Sequence, residues 1–141
     1  MNAWRLISKI SLVSLVCLLC ASCSAVPTEK VSGVYYAKHK FANEKISVNP
    51  DGTFQHEVKL RSNGKTTVAT GTWKYFSSSG NIHLTDGFME VINELHEFNP
   101  EYAKPLRGAA VLPVYRFLGM IVMGSDERLV YRKKWQLKAR D

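Results

Sequence analysis

Cysteine is scarce in this sequence of 141 residues: Cys17, Cys20 and Cys23 are the three, and none follows them. A disulfide framework and a cysteine-rich zinc site are therefore excluded for the rest of the chain. The phosphate loop, the dinucleotide fingerprint, the nucleophile elbow and the zinc-binding His-Glu-x-x-His helix are also missing, and each of these supplies a defined chemistry at a fixed spacing. The absences weigh against the common hydrolases and nucleotide enzymes, and we predict a protein that is not an enzyme.

Hydrophobic residues make up 45% of the chain and charged residues 22%, which is typical of a folded domain and not of a disordered or collagen-like chain. A chain of this length is sufficient for one packed domain and too short for two. The formal net charge of +7 suits a nucleic acid, an anionic membrane or simple solubility. Charge alone does not choose among them.

The first 25 residues follow the three-part order of a secretory signal peptide. Arg5 and Lys9 precede an uncharged run from Ile10 to Leu19, and small residues come next. The uncharged run is about half of the ~20 residues that cross a bilayer as a helix. It therefore predicts an export signal and not a permanent membrane anchor.

Residues 18–23 are Leu-Leu-Cys-Ala-Ser-Cys. This segment resembles the lipobox of bacterial lipoproteins, in which small residues precede an invariant cysteine, although the family prefers leucine where this chain has Cys20. The resemblance implies that Cys23 carries a diacylglyceryl group, that the signal peptide is cut before Cys23, and that the new amine is acylated. The alternative is an ordinary signal peptide cut after Ala25, which leaves a lipid-free protein beginning at Val26.

The lipoprotein resemblance divides the chain into a signal peptide (1–22), an acylated tether (23–30) and a domain (31–141). Two or three acyl chains anchor a protein firmly, whereas one binds only marginally. In the same family the residue after the modified cysteine influences sorting, and Ser24 in place of an aspartate implies transfer to the outer membrane. We therefore expect a protein of the bacterial cell envelope, bound to the membrane through Cys23 and facing the periplasm.

Hydrophobic residues after the tether recur mostly with a period of two, which is typical of half-buried strands. Ile46 and Val48 share one side, and residues 49–52, Asn-Pro-Asp-Gly, predict a turn. On the return strand, one face is expected to be apolar and the other polar: Phe54, Val58 and Leu60 against Gln55, Glu57 and Lys59.

Later segments repeat this pattern of short strands and turns. Asn63-Gly64 predicts a two-residue hairpin loop, and residues 66–76 form a strand on which Ala69, Gly71, Trp73 and Tyr75 share a face. A Ser-rich loop (77–80) and a short strand (82–85) come next. The apolar stretch 111–122 predicts a buried strand that ends in a kink near Leu118-Gly119, then a second strand over 120–123. A further strand is predicted over 128–133.

One segment has the spacing of a helix. Phe88, Val91, Ile92 and Leu95 form an i, i+3, i+4, i+7 stripe, with Asp86 placed as a cap; a bulged strand is the alternative. The whole pattern predicts a mainly β fold, a small antiparallel meander barrel or sandwich of about eight strands with one short helix. The motifs Gly33-Val-Tyr-Tyr, Asp51-Gly-Thr-Phe and Gly71-Thr-Trp resemble those of small lipocalin-like barrel domains in bacterial lipoproteins.

Four histidines are spread along the chain without the close pairing of metal sites, so we predict neither a metal nor another cofactor. They are His39, His56, His83 and His96. By alternation His56 falls on the inner face, where an imidazole needs a hydrogen-bond partner or a cavity. With Trp73 and Tyr75 it forms a candidate ligand-binding set, and the alternative is that all three are core residues. An eight-stranded barrel is just wide enough to be filled by side chains or to hold one small ligand.

Charged residues cluster twice along the chain. The acidic cluster could bind a divalent cation, but a solvated surface is the simpler interpretation. It consists of Asp86, Glu90, Glu94, Glu97 and Glu101. The basic cluster could contact phosphate head groups, or it could simply protect a solvated edge strand. It consists of Arg128, Arg132, Lys133, Lys134, Lys138 and Arg140. We expect no nucleic-acid partner. Two functions remain open: a non-enzymatic lipoprotein that contacts another envelope component, and a lipocalin-like carrier of a small apolar ligand.

Overall fold

The structure, a computed structural model, describes residues 25–92, 97–99, 109–126 and 129–134. In this part of the chain eight antiparallel strands follow one another and close into a barrel. The prediction of a mainly β meander with one short helix is confirmed, and the sheet forms a barrel rather than a sandwich. The elements are α1 (Thr28–Val31), β1 (Gly33–Lys38), β2 (Ala42–Val48), β3 (Thr53–Leu60), β4 (Thr66–Phe76), β5 (Asn81–Thr85), β6 (Ala110–Phe117), β7 (Met120–Asp126) and β8 (Leu129–Lys133).

The antiparallel meander gives the barrel two distinct ends. The chain enters β1 at what we call the proximal end, and the turns at 49–52, 77–80 and 118–119 lie at that same end. The β1–β2 turn, the β3–β4 loop and the connection that leaves β5 lie at the opposite, distal end.

The N-terminal segment packs against the proximal end of the barrel. Val26 and Val31 are buried in the main hydrophobic cluster. The Tyr35 hydroxyl donates to the carbonyl of Val31, and Lys133 Nζ donates to the carbonyls of Lys30 and Ser32. The described part of the segment predicted as a tether, residues 25–30, thus contributes one buried side chain to the folded domain.

Inward and outward positions alternate strictly along β2 and β3, because successive side chains of a strand point to opposite faces. The predicted division of the β3 faces is confirmed: every second residue from Phe54 to Leu60 is buried, and the residues between them are exposed or half-buried. On β4, Ala69 and Tyr75 are buried on the face predicted for them. Gly71 lies between them where a Cβ atom would meet the carbonyl oxygen of Thr85 at 2.1 Å.

The predicted turns are confirmed at some positions and wrong at others. At 49–52 the Asn49 N–H donates to the Thr53 carbonyl at 2.9 Å, and Gly52 has a φ of 85°, as expected. Asn63-Gly64 is instead part of a five-residue loop, 61–65. Its span is fixed by the Leu60 N–H, which donates to the Lys65 carbonyl at 2.9 Å.

The expected kink near Leu118-Gly119 is a two-residue hairpin turn between β6 and β7. Both residues have positive φ, 48° and 80°, as in the turns that match the twist of paired strands. The apolar run around it was predicted to be buried, and that is wrong for several side chains: Leu118 is 84% exposed and Phe117 54% exposed. The turn of this run is therefore exposed, whereas Val114 and Val122 on either side of it are buried.

The predicted helix over the stripe beginning at Phe88 is wrong for the residues that the structure describes. Residues 88–92 are not helical, and Ile92 forms an isolated antiparallel bridge with Phe98. Asp86 does not cap a helix; it has a φ of 61°. Leu95 lies outside the described residues. The one short helix among the described residues is α1.

Candidate functional site

A carboxylate lies inside the barrel on β2. Glu44 is two residues before Ile46, so the alternation that buries Ile46 also turns Glu44 inward, and only 2% of it is exposed. Its cross-strand partner on β1 is Ala37, whose small side chain leaves room for larger groups on neighbouring strands. A buried charge of this kind is costly unless hydrogen bonds satisfy it.

Three donors surround the Glu44 carboxylate. His39 Nε2 lies 2.6 Å from Oε1, and His56 Nε2 lies 2.8 Å from Oε2. The Tyr131 hydroxyl donates to the same Oε2. We call these four residues the Glu44 cluster; it joins the β1–β2 turn, β2, β3 and β8.

The hydrogen bonds assign the tautomer of His56. The Met89 backbone N–H, which can only donate, lies 3.1 Å from His56 Nδ1, so Nδ1 is an acceptor and Nε2 carries the proton. His39 follows the same pattern more weakly, because its Nδ1 accepts from the Phe41 N–H at 3.4 Å. Both rings are therefore assigned as neutral donors to an ionised carboxylate.

Burial alone would raise the pKa of Glu44, but the hydrogen bonds from His39, His56 and Tyr131, together with the charge interaction with His56, outweigh it and hold the pKa at about 2. Burial, and then the neighbouring Glu44 charge, raise the pKa of Tyr131 well above its usual value. The cluster thus contains an ionised carboxylate stabilised by three hydrogen-bond donors. A carboxylate with so low a pKa is a weak base at neutral pH.

The segment that follows β5 covers the cluster from the distal end. The Phe88 ring stacks on His56 with centroids 4.9 Å apart, and Met89 and Val91 are buried in a second hydrophobic cluster with Val58. His56 itself is fully buried. The space in front of His56 is filled by protein, and both of its nitrogens have protein partners.

The other two residues of the predicted ligand set lie in the main hydrophobic cluster. Trp73 is half-buried, and its indole N–H donates to the Asn49 carbonyl at 2.7 Å. Tyr75 is buried, and its hydroxyl has no hydrogen-bond partner among the described residues. Burial, and then the charge interaction with Tyr75, raise the pKa of Tyr35 far above its usual value.

Sequence reasoning missed three members of the cluster: Glu44, His39 and Tyr131. A signal for Glu44 is present in the sequence, since continuing the Ile46–Val48 alternation back by two residues places a carboxylate on the inner face. The sequence contains no such signal for His39 and Tyr131, because they reach Glu44 only through the β1–β2 turn and the closure of the barrel.

The remaining predicted candidates lie partly within and partly outside the described residues. In the ranges that the structure describes, no group of three or more histidine, cysteine, aspartate or glutamate side chains is placed to hold a metal ion. His83 lies on the outside of β5 beside Phe76, with ring centroids 4.5 Å apart. The candidates that lie outside the described residues are Cys23, Glu94, His96, Glu101, Arg128, Lys138 and Arg140.

The described part of the chain has grooves on its surface, of which two bear on function. The first, of about 440 Å³, lies at the distal end and is lined by two cations, two aromatic rings and a hydroxyl: Lys40, Arg61, Phe41, Phe98 and Ser62. The second, of about 340 Å³, is mostly apolar and is lined by Phe88, Glu90, Ile92, Leu129 and residues 109–112. The second groove lies beside the segment that covers the Glu44 cluster.

No protein family, curated protein or solved structure matches the chain. The only helix among the described residues is far too short to cross a membrane. Function is therefore inferred from the chain itself.

Proposed function

We propose that this chain is a non-enzymatic lipoprotein of the bacterial cell envelope, acylated at Cys23 and exposed to the periplasm at the outer membrane. Its eight-stranded barrel presents a surface to another envelope component. The proposal combines the signal and lipobox pattern of residues 1–23 with the position at which the chain joins the barrel.

The burial of Val26 is the observation that carries the proposal. Three residues after the cysteine of the lipobox the chain is already part of the barrel core, with Val26 only 1% exposed. A lipid on Cys23 would therefore attach the folded barrel to the membrane directly at its proximal end. The distal end, with its groove, would then point away from the membrane.

The packing around His56 favours an interaction protein over a carrier with a central ligand. His56 is fully buried against Phe88, Met89 and Glu44, so a ligand could reach it only by displacing the segment after β5. The distal groove offers instead an apolar floor, Phe41 and Phe98, beside Lys40 and Arg61. That combination suits an acidic partner with an apolar portion.

The anchor is tested by comparing Cys23→Ala with Cys20→Ala, a matched control whose cysteine leaves with the signal peptide. We expect Cys23→Ala to abolish acylation, and Cys20→Ala to leave a diacylated or triacylated Cys23 that stays in the membrane through a high-salt wash. The measurement is membrane fractionation together with the mass of the N-terminal peptide. An unmodified wild-type chain beginning at Val26 would overturn the proposal.

The surface is tested by photo-crosslinking in living cells from a probe at Ser62 in the distal groove. A probe at Val68, on the outer face of β4, is the control. We expect a defined adduct from position 62 only. Equal adducts from both positions, or none from either, would contradict an interaction at the distal end.

A carrier of a small apolar ligand is the second candidate, and the groove beside Phe88 and Leu112 favours it. Its volume of about 340 Å³ falls within the ~300–1,000 Å³ typical of ligand pockets. Binding of an environment-sensitive fluorescent fatty acid should be lost in Ile92→Lys and kept in Val68→Lys. Failure of the wild type to bind fatty acids or small aromatic compounds would remove this candidate.

A further inference from the structure

We propose that the tip of the β6–β7 hairpin, Phe117-Leu118, inserts into the lipid surface beside the acyl chains and fixes the orientation of the barrel. This inference rests on the proposed anchoring at Cys23. It adds a second, non-covalent membrane contact that the lipid alone does not imply.

The tip is apolar, exposed and conformationally unusual. Leu118 is 84% exposed and Phe117 54% exposed. Leu118 also has a φ of 48°, a left-handed conformation for which asparagine, aspartate or glycine is preferred in two-residue turns. A leucine in this position is unfavourable both for the turn and for its hydration, which points to a contact outside the barrel.

The tip lies at the end of the barrel where the anchor is attached. Strands β6 and β7 meet at the proximal end, where the chain enters β1. Only three peptide units separate Cys23 from the buried Val26, and at 3.8 Å between consecutive Cα atoms they span at most about 11 Å. An acylated Cys23 therefore keeps the proximal end close to the bilayer surface.

The charges around the proximal end suit an anionic lipid surface. Among the described residues, the exposed cations there include Lys30 on α1, Arg116 on β6 and Arg132 and Lys134 at the end of β8. The exposed acids in the described part of the same end are Glu29 and Asp51. Basic residues near the head groups are attracted to anionic lipids, while the apolar tip reaches the acyl boundary.

The test uses the mature acylated protein, after removal of the signal peptide, in vesicles of phosphatidylethanolamine and phosphatidylglycerol. Leu118→Cys and, as the distal control, Ser62→Cys are each labelled with an environment-sensitive fluorophore. Labelling is specific because Cys17 and Cys20 leave with the signal peptide and the thiol of Cys23 is blocked by lipid. Both positions are exposed, and circular dichroism confirms that each variant is folded.

We expect the label at position 118 to shift to the blue and to be quenched severalfold more strongly by lipids with brominated acyl chains than the label at position 62. Equal, water-like emission at both positions would overturn the inference. A blue shift at 118 without lipid quenching would also overturn it, because the tip would then contact a protein or a second copy. The mass of the same preparation separates the two proposals: an acylated protein with a hydrated tip refutes only the insertion, whereas an unacylated protein refutes the anchor on which the insertion rests.

Discussion

Replacement of the buried carboxylate, Glu44→Gln, is the sharpest test of the Glu44 cluster. Glutamine has nearly the same shape as the protonated acid but cannot carry its charge. Its carbonyl oxygen can accept from His56 and Tyr131, as Oε2 does now. Its amide then faces His39, which can accept from it only by moving its own proton to Nδ1 and giving up the weak 3.4 Å bond from Phe41.

The size of the effect follows from the pKa of Glu44. The three donors and the charge interaction with His56, acting against the opposing effect of burial, lower it from 4.5 to about 2, and each unit corresponds to ~1.4 kcal/mol of preference for the ionised form. The folded state therefore favours the carboxylate over a neutral group by about 3 kcal/mol. Since a small domain is stable by only ~5–15 kcal/mol, Glu44→Gln should remove a substantial share of the free energy of unfolding at neutral pH.

The pH dependence has a defined sign. The pKa of Glu44 is lower in the folded than in the unfolded chain, so the unfolded chain binds the proton first as the pH falls. The stabilisation is complete above the unfolded pKa of 4.5 and is lost as the pH falls toward the folded value of about 2. The difference between wild type and Glu44→Gln should be constant near neutrality and shrink through this window.

Urea denaturation followed by tryptophan fluorescence measures both quantities. The matched control is Glu57→Gln, on the outer face of the same hairpin, where the carboxylate is about one-third exposed and pairs with Lys45 at 3.1 Å. A surface pair of this kind contributes ~0–1 kcal/mol. A loss below about 1 kcal/mol for Glu44→Gln at neutral pH, or an equal loss at neutral pH and about pH 3, would refute the assignment of an ionised, triply hydrogen-bonded carboxylate.

Three further substitutions test other parts of the structure. Gly71→Ala should destabilise the barrel by about 3 kcal/mol or more, or prevent folding, because its Cβ would lie 2.1 Å from the carbonyl oxygen of Thr85; wild-type stability in a melting experiment would contradict the close approach of β4 and β5. Leu118→Asn should raise the free energy of unfolding by about 0.5–1 kcal/mol because asparagine accepts the left-handed turn conformation, and a destabilised variant would show that Leu118 packs within the barrel. Lys133→Met should lower the free energy of unfolding by about 1–3 kcal/mol, because the carbonyls of Lys30 and Ser32 lose their donor. Amide hydrogen exchange in α1 should also become faster. Unchanged exchange there would mean that Lys133 does not hold this segment against the barrel.

The hairpin from Ile46 to Leu60 could be predicted from the sequence because every determinant of its structure is local. The alternation fixes the inner face, and residues 49–52 contain both the proline and the glycine that the turn requires. The same alternation, carried two residues further back, predicts an inward Glu44. The strand begins at Ala42. The hydrophobic pattern does not indicate this start, because the charged Glu44 interrupts the apolar alternation between Ala42 and Ile46.

The segment after β5 could not be predicted, because two structures share its hydrophobic spacing. Phe88, Met89 and Val91 all contact the interior, and such clustered apolar residues also fit one face of a helix. The irregular structure is favoured by tertiary contacts: Gly87 has a φ of 136° and passes so close to Thr70 that a Cβ would lie 2.3 Å from its carbonyl oxygen. Neither the interior contacts of these apolar side chains nor the approach of Gly87 to Thr70 can be predicted from hydrophobic spacing along the chain.

The pairing of β1 with β8 closes the barrel, and we call it the closing seam. Contacts across this seam give a reason for the buried charge of Glu44 in a domain without disulfides. Among the described residues, β1 and β8 are in register only at Tyr35–Lys133 and Tyr36–Arg132. Two polar contacts reinforce this seam. Inside the barrel, Tyr131 of β8 reaches past β1 to Glu44 of β2; nearer the surface, Lys133 of β8 donates to the carbonyls of Lys30 and Ser32, just before β1.

A purely apolar interior would tolerate a slip of β8 by two residues, which keeps the same face inward, whereas a donor that must meet one carboxylate does not. We therefore assign to the Glu44 cluster the selection of one closed register, in addition to the stabilisation derived above. In some proteins a buried polar or charged group fixes register in this way, and here Tyr131 lies 87 residues from the carboxylate that it contacts.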